Sequence, residues 1–64
     1  MKLRKIGGEC GKDDCPAIYI TDQGGVIVQG TLVTEVDQVT PAPDEALVEI
    51  PRSVLLEAAS AIGG

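Results

Sequence analysis

The residues with the most reactive side chains in this sequence are Cys10 and Cys15, separated by a polar loop that holds Gly11 and the pair Asp13-Asp14. Thiolates bind zinc, but a structural tetrahedral site needs four ligands, and the sequence contains no His. Two cysteines per chain complete such a site only across subunits, so the metal reading is an intersubunit zinc at Cys10 and Cys15. A disulfide is sterically open to the same pair, although reducing cytosol disfavours a permanent one. Free thiols packing as small apolar groups are the blandest alternative. Catalysis has little to work with. No His is present to exchange protons near neutral pH, no Ser or Cys can be placed beside a base, and Asp13 and Asp14 read as solvated loop acids. Neither Gly7-Gly8 nor Gly24-Gly25 has the spacing of a phosphate-binding loop. No enzyme activity and no cofactor are expected.

The elements that must carry any site are easier to read. Ala17 to Gly30 predicts a β-hairpin, two β-branched apolar runs around Asp22-Gln23-Gly24-Gly25. A three-residue loop of Asp22, Gln23 and Gly24 sets Ile20 opposite Val26 and Ile18 opposite Val28, so all four aliphatics share one face. A two-residue turn would split them between faces. Residues 1–8 alternate charged and apolar positions and predict a basic edge strand or arm, followed by the cysteine loop at 9–16. Thr31 to Val36 continues as a strand after a bend at Gly30. Pro41 and Pro43 mark a surface crossover, and Ala46 to Ile50 is the next strand. Pro51 suits the first helical position, so a helix from Pro51 to Ile62 follows, ended by Gly63. On its wheel Val54, Leu55, Ala58, Ala59 and Ile62 form one apolar arc, Glu57 and Ser60 lie opposite, and Leu56 sits outside the arc with no core to enter.

Composition narrows the functional classes. A chain of 64 residues is one domain, and at this size only about 60% of the unfolded surface is buried. The apolar fraction is 44%, yet there is one Tyr and neither Phe nor Trp, so the core is aliphatic and outside support is expected. A homodimer is the simplest support. Ten acids against five bases give a net charge of −5, with Lys2, Arg4, Lys5 and Lys12 gathered near the start and Arg52 alone beyond them. The acidic body suits a protein partner, and nucleic-acid binding would rest on Lys2, Arg4, Lys5 and Arg52. With no bilayer-length apolar run and no secretion signal, the expected location is cytoplasmic.

Three resemblances follow from these stretches. The order Cys15-Pro16, apolar strand, Asp22-Gln23-Gly24-Gly25, Val26-Ile27-Val28-Gln29-Gly30, then Val48-Glu49-Ile50-Pro51-Arg52 before a Leu-rich helix, resembles the short acidic BldB-related proteins of actinobacteria. That likeness runs from Cys15 to Ala59 and implies a non-enzymatic module whose partner is a helix-turn-helix regulator. Met1 to Gly7 is similar to the opening strand of AbrB and MazE-type swapped-hairpin domains, and Val48 to Arg52 to their strand-to-helix phrase. This implies a DNA-binding, antitoxin-type protein. Gly63-Gly64 resembles the ending of sulfur-carrier and ubiquitin-like proteins, whose terminal glycine is adenylated or conjugated, although a glycine pair after a helix also serves as its C-cap.

The sequence therefore predicts an α+β domain, a small antiparallel sheet of three to five strands with one C-terminal helix packed on one face. The favoured function is a non-catalytic protein-interaction or regulatory module. Its expected contact residues are Leu56, Tyr19 and Ile27, large apolar groups without an evident intrachain home.

Overall fold

The structure is a computed structural model that describes residues 1–9 and 15–63. Among the described residues five antiparallel strands and one helix follow in chain order: β1 Leu3–Gly8, β2 Ala17–Thr21, β3 Val26–Gln29, β4 Thr31–Val33, β5 Leu47–Glu49 and α1 Arg52–Gly63. The α+β class holds, with a helix packed on one sheet face. The strands form two sheets: β1-β2-β3, with β2 central, and a separate β4-β5 pair. Residues 1–8 contribute β1, an edge strand. β4 and β5 are shorter than the segments 31–36 and 46–50 predicted from alternation, because their ladder closes after three pairs, Thr31 to Glu49, Leu32 to Val48 and Val33 to Leu47.

The hairpin adopts the three-residue loop. Ile20 pairs with Val26 and Ile18 with Val28, while Thr21 N–H donates to Gly25 C=O at 2.9 Å and Gly24 N–H to Thr21 C=O at 3.2 Å. Gly24 takes φ +86°, a conformation that L side chains rarely adopt. The buried Thr21 hydroxyl holds the loop from inside, accepting from Gln23 N–H at 3.2 Å and Gly25 N–H at 2.9 Å. A Cβ on Gly24 would meet no neighbour, so the backbone alone sets the penalty. Gly24→Val is expected to cost roughly 1–2 kcal/mol, read as a lowered melting temperature by circular dichroism, and an unchanged value would contradict this loop.

β1 pairs with β2 from Leu3–Thr21 to Gly8–Ala17 and is broken by a bulge between Lys5 and Gly7. The extra residue, Ile6, packs against the core of Ile18, Val54 and Ala58, with Ile50 beside it. Gly7 is buried under the helix, where a Cβ would lie 2.9 Å from Val54 O and 3.2 Å from Ala58 Cβ. That missing side chain seats α1 over β1 and β2, and β3 stays uncovered. Of the four aliphatics gathered on one face of the hairpin, Ile18 is buried and Ile20 half-buried, but Val26 and Val28 remain exposed.

The helix is also rotated relative to its predicted arc. Val54 and Ala58 go under, whereas Leu55, Ala59 and Ile62 stay in solvent. Glu57, placed opposite the sheet on the wheel, instead reaches it, its Oε1 accepting from Gly8 N–H at 3.1 Å. Pro51 precedes the first helical residue, and its carbonyl accepts from Val54 N–H at 3.1 Å. Gly63 is the last helical residue rather than the stop after the helix.

Candidate interaction surfaces

Helix seating decides what the molecule presents. With Val54 and Ala58 turned inward, the outer side of α1 carries Leu55, Leu56, Ala59 and Ile62 at near-helical spacing, and Leu56 is 63% exposed. No acid lies in the first turn of α1 and no base in the last. Leu55, Leu56, Ala59 and Ile62 thus leave an apolar stripe on the outer side of α1, with Arg52 at its start. Leu56, singled out by sequence as homeless, sits within it. Leu55 and Ile62 were missed because the apolar arc had assigned them to the core. The signal that could have found them was Gly7, a residue without a side chain in a strand that a helix must cross.

Tyr19 and Ile27 lie directly opposite one another in the β2–β3 ladder, Tyr19 half-buried and Ile27 exposed. By alternation they occupy the face away from Ile18, and therefore away from the helix. The structure thus brings Tyr19 to Ile27 and parts both from Leu56, giving two surfaces instead of one.

Lys2, Arg4, Lys5 and Arg52 are all exposed, but Arg4 and Lys5 point to opposite faces of β1 and Arg52 opens α1. A Cβ on Gly8 would lie 2.7 Å from Lys5 Cε, so the Lys5 stem lies over Gly8.

Two concavities border these surfaces. One, of about 550 Å³, lies where the two sheets meet, lined by Cys15, Pro16, Gln29, Gly30, Glu49 and Ile50 among others, with Gln29 Nε2 donating to Cys15 O at 2.8 Å. Gly30 makes this junction possible, since a Cβ there would lie 2.5 Å from Glu49 O. The other, of about 930 Å³, runs between β3 and the segment from Val39 to Leu47. Its far wall is tied by a reciprocal pair, Glu45 N–H to Ala42 C=O at 2.9 Å and Ala42 N–H to Glu45 Oε1 at 3.0 Å.

Cys15 is disulfide-bonded. Of the three states left open by sequence it takes the cross-linked one, and a sulfur so engaged offers no thiolate to zinc. Cys10, Asp13, Asp14 and Gly64 lie outside the described residues. Among the described residues no cluster of three or more His, Cys, Asp or Glu side chains could hold a metal ion. No described helix is long and apolar enough to cross a membrane. Comparison with protein-family models, curated proteins and solved structures gave no match.

Proposed function

We propose that the protein is a non-catalytic interaction module that works by offering apolar surface to other protein chains, self-associating as a homodimer and recruiting a further partner on its helix. The observation that carries this reading is the imbalance between core and surface. The accessible surface is 5120 Å² for a chain of 6.6 kDa, against roughly 3,900 Å² for a compact monomer of that mass. The Cα radius of gyration, 12.7 Å, likewise exceeds the about 10.7 Å typical of 64 residues. Large apolar side chains share in the exposed surface, among them Val26, Ile27, Val28, Leu32, Leu55, Leu56 and Ile62.

A chain without His, with Arg4 and Lys5 on opposite faces of β1 and Arg52 on α1, is better suited to binding protein than to chemistry or to duplex nucleic acid. The likeness to BldB-related proteins points to a transcriptional regulator as the recruited partner, met by the outer face of α1. Placement of a photo-crosslinking residue at position 56 tests this. A discrete adduct to another protein is expected in cells from position 56 and not from Asp37, an exposed loop site. Equal labelling from both positions, or none from either, would count against the module reading.

A further inference from the structure

We propose that two copies of the chain join edge to edge through β3, antiparallel about a two-fold axis beside Ile27. This deepens the interaction-module reading and rests on it. The starting point is the phase of the β2–β3 ladder. Since Thr21 N–H donates to Gly25 C=O at 2.9 Å, strict alternation makes Tyr19–Ile27 and Ala17–Gln29 the pairs that exchange hydrogen bonds. Ile20–Val26 and Ile18–Val28 are then the pairs that do not. The N–H and C=O groups of Val26 and Val28 consequently point away from β2. β3 has a strand neighbour on that one side only, and among the described residues no turn or loop backbone bond ends on either valine.

The cleft beside β3 is lined by Val26, Ile27 and Val28 in succession. Consecutive strand residues alternate between faces, so a cleft that touches all three opens on the strand edge. Its volume of about 930 Å³ leaves room for an extended segment between β3 and the tied loop.

The opposite edge of the same sheet is guarded. β1 carries Lys2, Arg4 and Lys5 on or beside it, is bent by the bulge at Ile6, and has its Gly8 N–H taken by Glu57. Lysines, bulges and covering groups are the usual devices against unwanted strand pairing. β3 has none of them: Val26-Ile27-Val28-Gln29 holds no charge, no proline and no bulge.

The edge is complementary to itself. In a two-fold pairing the outward groups of Val26 meet those of the partner's Val28 and the reverse, so every outward donor finds an acceptor. Ile27 then faces the partner's Ile27 on the Tyr19 side, and each valine faces a valine on the other. No like charges are opposed.

Amide hydrogen exchange of the whole protein by NMR at low and high concentration, with mass from sedimentation equilibrium, tests the pairing. Exchange at Val26 and Val28 is expected to slow as the dimer forms, while Ile27 is protected at every concentration. Val28→Pro removes an outward donor without touching the β2 ladder, and should weaken dimerisation by roughly 30-fold or more. Should that variant fold poorly, Val28→Lys is expected to disperse the dimer with the same loss. A wild type that stays monomeric overturns the proposal, as does a dimer dispersed by Leu56→Glu but not by either Val28 variant. Protection of the two valine amides only by an added basic extended peptide, matched to Asp44 and Glu45 across the cleft, also overturns it. In each of those cases crosslinking from position 56 still reports on the wider reading independently.

Discussion

A Gly7→Val protein is expected to lose its cooperative thermal transition. The added Cβ would stand 2.9 Å from Val54 O and 3.1 Å from Ala58 N, and both are helix backbone atoms that no rotamer change can move. Relief requires lifting α1 from β1, which strips cover from Ile18, Val54 and Ala58 together. Overpacking of this kind costs about 3 kcal/mol or more. A domain of this size draws only about 3–5 kcal/mol from its core, so the loss removes most of the stability present. Far-UV circular dichroism against temperature and amide shift dispersion both read it. Gly7→Ala should fall between, because it meets the same atoms with one carbon. A Gly7→Val protein that melts like the wild type would show that the helix is seated elsewhere, and the outward turn of Leu55, Leu56 and Ile62 would lose its physical cause.

The second large effect is expected at Cys15. Removing a native disulfide from a small domain typically costs 2–5 kcal/mol, and Cys15→Ser should lose about 2–4 kcal/mol. Reductant should lower the wild-type melting temperature to about that of the variant and leave the variant unmoved. That pairing of results separates loss of the cross-link from loss of a packed sulfur. An equal response of both proteins to reductant would refute it. The disulfide stands next to Pro16, whose carbonyl accepts from Glu9 N–H at 3.1 Å and continues the β1–β2 ladder beyond Gly8–Ala17. Cross-linking here therefore supports the strand pair on which the helix rests. It also makes the folded fraction depend on the redox poise of the surroundings, because disulfides persist in oxidising compartments and are rare in reducing ones.

How far the sequence disclosed this molecule varies with the range of the interaction responsible. The loop of Asp22, Gln23 and Gly24 was legible, because a residue able to take positive φ and flanking alternation are local properties. The start of α1 was legible from Pro51 for the same reason. The rotation of that helix was not. It follows from Gly7 and from the bulge at Ile6, both far away in sequence, and the wheel of residues 54–62 holds no trace of either. Leu56 was recognised as a surface residue while Leu55 and Ile62 were consigned to the core, an error of the same origin. The β3 edge lay partly in view, since a charge-free Val26-Ile27-Val28-Gln29 can be read directly. Its lack of a neighbour cannot be, because it depends on Thr31 to Val33 pairing with the distant segment Leu47 to Glu49. Cys15 shows a different limit: spacing permits several covalent states and does not choose among them.

The fortification of β1 has a corollary for copy number. If the bare rims of two molecules meet, the six-stranded sheet that results ends on both flanks in a Lys- and Arg-bearing, bulged strand, and a third molecule finds no template on that sheet. Growth through that sheet then terminates at two copies, and a sequence with a valine-rich margin can be kept at high concentration without polymerising along it.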